Sequence, residues 1–294
     1  MKLKHIALAA LTVLSAPSFA AIADATSGNG ELVANFRLYS GDNNNGGDDI
    51  SALFDLGITM NSFIAQANTA GYTRTWDLSA ANFGSAWSTL TSFNPALNST
   101  IEYNVIALDN AGQNVAGGGR YLTTSTSTTY PSITNANTLL LGQTNTLLVA
   151  NQGRGTHGTE SNGASTATSG DAQNTYFGKI NNGTVDGDTW GGQTTADTTR
   201  LLNVEQYFHL ITNSSTVATA QATKTAFGAD LDGNGSLSTA GAYGNELGVW
   251  AVNGSNLTYS VAAAPVPEPE GIAMLLAGLG VMGAMVRRRK FKAA

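Results

Sequence analysis

The chain has 294 residues with no Cys, 34 Gly, only 12% charged residues and a formal net charge of −6. The missing Cys excludes a disulfide framework and thiolate chemistry, while the length is sufficient to bury a core without staples. Thr, Ser, Asn and Gln replace the usual Lys and Glu, keeping the surface wet through neutral hydrogen bonding, as suits the outside of a cell.

The first stretch, "MKLKHIALAALTVLSAPSFAA", places Lys2 and Lys4 before an apolar run from Ile6 to Leu14 and small residues ending in Ser18-Phe19-Ala20. That order reads as a secretory signal peptide over residues 1–20, with a short signal helix that the export translocon engages. Cleavage after Ala20 or Ala23 fits equally. Between this leader and the C-terminal tail there are 7 basic and 18 acidic residues, a net charge of −11. Such a surface is repelled by phosphate backbones and anionic lipid, which argues against nucleic acid as a partner and favours divalent cations or neutral glycans.

Residues 21–264 read as one mainly β exported domain. "ELVANFRLY" puts Leu32, Ala34, Phe36 and Leu38 on one face, and "IEYNVIALD" alternates around Tyr103, Val105 and Ala107. "VEQYFHLIT", "LGVWAV" and "NLTYSV" continue the pattern, and Gly, Asn, Asp and Ser turns separate the runs. Period-two runs spaced in this way predict an antiparallel β-sandwich, jelly-roll-like, with one or two short helices. One helix is expected through "LSAANFGSAWSTL", where Phe83, Trp87 and Leu90 share a stripe and Ser79 is available as N-cap. A second is expected through "ITNANTLLLGQTNTLLVANQ". "TTSTSTT", Thr123 to Thr129, is open to three readings, a flexible loop, a solvated strand or a site of O-linked sugar, with a loop or strand the preferred one.

"GRGTHG", Gly153 to Gly158, matches the dinucleotide fingerprint in letters only. No helix start follows it, so it reads as a surface loop, and no organic cofactor is expected. Trp76, Trp87 and Trp250 lie in patterned elements and read as core. Trp190, in "GDTWGGQ", is open to two readings: a loop residue folded back onto the domain, or a platform for stacking a sugar ring.

"DLDGNGSLS" follows the calcium-loop pattern of an EF-hand. Asp230, Asp232 and Asn234 fall at positions one, three and five, Gly235 at the sharp turn and Ser236 at position seven. Position twelve, where a bidentate Glu belongs, is Gly241. Affinity for Ca2+ then falls toward the weak extracellular range unless Glu246 or a distant carboxylate closes the shell. The alternative is a plain Asp-Gly and Asn-Gly turn.

Enzyme signatures are scarce. His157 and His209 are too few and too far apart for a His-rich zinc site, and neither H-E-x-x-H nor a strict G-x-S-x-G occurs. Glu31, Glu102, Glu205 and Asp109 stand in or beside strands where a pair of carboxylates can face a cleft for glycoside hydrolysis.

The tail opens with Pro265, Pro267 and Pro269, which hold the segment extended and unpaired, as a protease groove requires. An apolar run from Gly271 to Val286 follows. At helical rise it covers about 24 Å, less than the ~30 Å hydrocarbon core, and it is expected to form a short transmembrane helix loosened by Gly278, Gly280 and Gly283. The basic cluster behind it points the preceding domain outward.

Pro267-Glu268-Pro269, a short Gly-rich apolar segment and Arg287-Arg288-Arg289 together resemble the sorting signal of PEP-CTERM proteins, covering residues 265–294. Glu270 departs from the small residue usual at that place. "GNGELVANF" also resembles the mature start of some proteins with this tail. The resemblance implies export across the inner membrane of a Gram-negative bacterium and recognition by a membrane-embedded exosortase. It further implies removal of the tail after transient anchoring, and release at the cell surface or into an exopolysaccharide matrix. The alternative for the tail is an uncleaved anchor. Three functions remain open for the domain: non-enzymatic adhesion or biofilm-matrix organisation, calcium-assisted glycan binding, and action on polysaccharide.

Overall fold

The computed structural model describes residues 22–38, 49–113, 115–129, 132–142, 144–171, 175–177, 179–180, 184–185, 200–201, 204–241, 243–265, 274–283 and 285. The chain divides into two units, Met1–Ala262 and Ala263–Ala294.

In the first unit the strands are, in chain order, β1 (Glu31–Leu38), β2 (Ile50–Thr59), β3 (Thr73–Asp77), β4 (Glu102–Asp109), β5 (Arg120–Ser125) and β6 (Ala164–Thr168). Three two-residue strands follow: β7 (Lys179–Ile180), β8 (Thr184–Val185) and β9 (Arg200–Leu201). The last four are β10 (Gln206–Thr212), β11 (Thr223–Ala226), β12 (Val249–Asn253) and β13 (Asn256–Ser260). Among the described residues of this unit the α-helices are α1 (Met60–Ile64), α2 (Ala86–Phe93), α3 (Asn135–Gly142) and α4 (Asn145–Asn151).

The expected sandwich gives way to one curled sheet, a half-barrel. Its strand order is β3-β13-β12-β10-β5-β4-β1-β2-β6, with β11 added to β10 and β9 to β4. All these pairings are antiparallel. Among the described residues, β7 and β8 pair apart from it. The curl is visible in one bond: Trp76 on β3 donates its indole N–H to the Leu56 carbonyl on β2 at 2.8 Å, joining strands from near opposite ends of the sheet. Alternation in sequence says that one face of each strand is buried. It does not say whether a second sheet or the same twisted sheet covers that face.

The inner face holds Leu32, Ala34, Phe36 and Leu38 of β1 with Tyr103, Val105 and Ala107 of β4, as their alternation predicts. Helices α1 and α2 fill the curl. Phe63 of α1 stacks on Trp250 at 5.8 Å between centroids and meets Tyr259 at 5.0 Å and Phe208 at 5.4 Å edge-on. Val33, Leu53, Ile106 and Tyr121 point the other way, into a second cluster with Leu147 and Leu148 of α4. Every residue of β1 and β4 after the first is consequently buried.

The helical stripe around Trp87 is divided. Gly84 adopts a φ of 59°, which ends a 3-10 turn at Ala81–Phe83 and lets α2 begin afresh at Ala86. Ser79 is therefore not the cap of α2; its N–H and Oγ–H both donate to Asp77 Oδ1, at 2.9 and 2.6 Å.

In the second unit, residues 274–283 are helical. Among the described residues no helix is long and apolar enough to cross a membrane, which corrects the expected transmembrane span over 271–286. Met274, Leu275, Leu276, Leu279, Val281 and Met282 on this helix are exposed. Gly278, Gly280 and Gly283 interrupt the apolar run and dilute its hydropathy.

Candidate functional site

The connection from β11 to β12 carries the acidic loop. Its root is closed by backbone pairing: Gly228 bridges Leu247, Ala229 N–H donates to the Glu246 carbonyl at 2.8 Å, and Gly248 N–H donates to the Phe227 carbonyl at 2.7 Å. Between these anchors the Asp side chains organise the turn. Asp230 accepts from the N–H groups of Gly233 and Gly235 at 2.7 and 2.8 Å, and Asp232 accepts from Asn234 N–H at 3.0 Å. Gly233 and Gly235 take positive φ values of 73° and 79°, a region that glycine enters without steric cost.

Asp230, Asp232 and Glu246 converge, with one carboxylate oxygen from each lying within 4.8 Å of the others. This set can coordinate a divalent metal ion. Glu246 is fully buried; its Oε2 accepts from Ser238 N–H at 3.2 Å, whereas its Oε1 has no hydrogen-bond partner. Asn234 and Ser236 sit differently. Asn234 donates its side-chain amide to Asp232 Oδ2 at 2.7 Å and accepts from Ser236 N–H at 2.8 Å. Ser236 lines an open cleft of about 540 Å³ together with Thr128, Thr129, His209 and Lys224.

Gly241, the twelfth residue counted from Asp230, stands against Glu246. A Cβ there would lie 2.3 Å from the Glu246 carboxyl carbon and 2.5 Å from each of its oxygens. Position twelve carries no ligand of its own, and the Glu246 carboxylate, from five residues further along, lies against it. Of the two closures that the sequence offers, Glu246 or a distant carboxylate, the fold brings Glu246 to Asp230 and Asp232.

Three other carboxylates named from sequence, Glu31, Glu102 and Asp109, are held elsewhere. Glu102 receives Arg37 Nε and Nη2 at 2.8 and 2.6 Å, and Asp109 receives Arg120 Nε at 2.8 Å. Glu31 accepts from Ala23 N–H at 2.7 Å. Glu31 also lies near Asp55, a buried acid of β2 that sequence reasoning missed. Burial, and then the neighbouring Glu31 charge, push the Asp55 carboxyl up to about 8, against a partial offset from Gly57 N–H. Burial holds both His157 and His209 down to about 4, so both rings are neutral near pH 7. His209 bonds the Ser127 carbonyl through Nε2 at 3.0 Å. The "GRGTHG" stretch forms the loop between α4 and β6, a helix-to-strand connection that reverses the order a dinucleotide site needs.

Trp190 lies outside the described residues, as do Pro267, Glu268, Pro269, Arg287, Arg288 and Arg289, and the leader over residues 1–20. Trp87 borders an open groove with Ser79, Thr91, Asn253 and Ser255 while its ring meets Phe36 edge-on at 5.4 Å.

Residues 265–290 match the PEP-CTERM protein-sorting motif. No curated protein and no solved structure matches the chain. The C-terminal segment is thus a sorting signal of the exosortase system, and the chain that carries it is exported and sorted to the cell surface.

Proposed function

We propose that this protein is a non-enzymatic component of the cell surface or extracellular matrix, used for adhesion or for organising exopolysaccharide in a biofilm. The observation that carries this reading is the PEP-CTERM motif at residues 265–290. The disposition of the acids and bases supports it. Glu102 and Asp109 are bound by arginines, and His157 and His209 are buried and neutral, so these groups serve the fold. The translocon delivers the chain and an exosortase processes it. The test replaces Pro267, Glu268 and Pro269 by Ala together. Loss of the protein from the surface and matrix fractions supports the reading; unchanged surface delivery overturns it.

In the same reading the acidic loop takes Ca2+. Its three carboxylates are hard oxygen donors, and the flexible, oxygen-rich shell of Ca2+ suits a loop that brings ligands from separated residues. Weak affinity is no handicap outside the cell, where extracellular modules work at 10⁻⁴–10⁻³ M, roughly the range such loops reach.

A second reading, a glycan-binding module, is favoured by the groove beside Trp87, where an indole adjoins hydroxyl and amide side chains. Retention of the wild-type protein, but not of Trp87→Ala, on the producer's exopolysaccharide supports it. Equal retention of the two removes Trp87 from the argument. Cleavage of the polymer in the same assay, abolished by single carboxylate changes, would instead favour a polysaccharide-acting enzyme.

A further inference from the structure

Resting on the reading that the loop takes a divalent cation, we propose that Glu246 is the closing, bidentate ligand of the site, filling the place in space that a twelfth-position Glu fills in a contiguous calcium loop.

Three observations carry this. First, the pattern from Asp230 to Ser236 places acids and amide at the positions where a calcium loop needs them, and the residue that should close it is Gly241. Second, glycine at 241 is not demanded by the backbone, whose φ lies outside the left-handed region. Its small size leaves room for the Glu246 carboxylate, which would have to move aside for any side chain at 241. A turn in which Gly244 N–H donates to the Gly241 carbonyl at 2.9 Å folds the chain back to bring Glu246 there. Third, Glu246 Oε1 is buried without a hydrogen-bond partner while its carboxylate faces Asp230 and Asp232. A buried carboxylate oxygen left bare beside two further acids is costly, and a cation between them removes both the desolvation and the repulsion.

The displacement has a mechanical consequence. In a contiguous loop the last ligand belongs to the loop itself. Here the Glu246 backbone is fixed at the root of the β11–β12 connection, donating to the Ser238 carbonyl at 2.9 Å and accepting from Ala229 N–H at 2.8 Å. Bound Ca2+ therefore clips the start of the loop at Asp230 to the root of β12. It steadies the wall of the cleft that Gly235, Ser236 and Leu237 share with Thr128 and Lys224.

The test titrates CaCl2 into the purified full chain by calorimetry, alongside Glu246→Gln, Gly241→Glu and the double variant Gly241→Glu/Glu246→Ala. The expected result is binding by the wild type, an affinity loss of at least tenfold in Glu246→Gln, and recovery of most of that loss in the double variant. Gly241→Glu alone, with two carboxylates forced into one volume, is expected to bind more weakly than the wild type. If the wild type binds no Ca2+, the cation reading itself fails and the proposal falls with it. If the wild type binds and Glu246→Gln binds equally well, the cation reading stands and the role of Glu246 is overturned. Loss in Glu246→Gln without recovery in the double variant overturns the replacement of position twelve. Isotope-edited infrared spectroscopy of the wild type labelled with 13C-glutamate needs no substitution and covers variants that do not fold. A Ca2+-dependent shift of a glutamate carboxylate band supports the proposal, and an unchanged band contradicts it.

Discussion

The carboxyl carbon of Glu246 lies 2.3 Å from the point where a side chain on Gly241 would begin. Two residues that a linear pattern treats as unrelated thus compete for one volume. Gly241→Ala is therefore expected to push the carboxylate out of the acidic cluster. The cost should be that of overpacking, roughly 1–3 kcal/mol. Urea denaturation checks this: an unchanged midpoint would mean that Glu246 moves aside freely.

Calcium should stabilise the domain by mass action. For a site filled at ten to a hundred times its dissociation constant, the gain is about 1.4–2.7 kcal/mol. In a domain of this size that raises the melting temperature by roughly 3–10 °C. Melts in CaCl2 and in chelator check it, and superimposed curves would contradict the cation reading.

Asp55 should impose a pH dependence of its own. Its folded-state value of about 8 lies above the ordinary 3.8, so the folded chain holds a proton that the unfolded chain releases. The associated stability is fully present below about pH 4 and is lost as pH rises through about 8, with a limiting slope of about 1.4 kcal/mol per pH unit. His157 and His209 act in the opposite sense. Their values are depressed to about 4, so their contribution is present above about 6.5 and is lost as pH falls through about 4. The difference between wild type and Asp55→Asn isolates the carboxyl. That difference should shift in favour of the Asn variant between pH 5 and pH 8, as denaturant melts at about those two values would show; a constant difference would contradict the assignment.

Phe63 closes the curl of the sheet, touching Trp250, Phe208 and Tyr259 from a helix of five residues. Phe63→Ala should cost about 3–5 kcal/mol. Phe93, exposed at the end of α2, offers the control, and Phe93→Ala should cost well under 1 kcal/mol, roughly the effect of a surface change. Equal losses would show that Phe63 is not central to the core.

Much of the strand content was legible because it is local. Leu32, Ala34, Phe36 and Leu38 alternate with residues facing the other way, and the sheet obeys that alternation. What covers each face is a long-range fact. The Trp76 bond to Leu56 and the seat of Phe63 depend on sheet curvature, which no short window encodes. The one expected helix around Trp87 became a 3-10 turn and α2 because Gly84 turns the backbone between them. Asp230 and Asp232 were readable from spacing because they organise their own turn. Gly241 reads as a gap that Glu246 or a distant carboxylate can close, and only the fold shows Glu246 beside it. Asp55 left no sequence signal, since its properties come from burial in β2 rather than from its neighbours in the chain.

Exosortase sorting is tested most directly by the mass of the mature chain's C-terminus, measured on protein from cells with and without the exosortase. Arg287, Arg288 and Arg289 are expected to be absent when the enzyme is present and retained when it is missing, with the leader removed in both. A chain recovered from both strains with Met1 and its terminal arginines intact would contradict it.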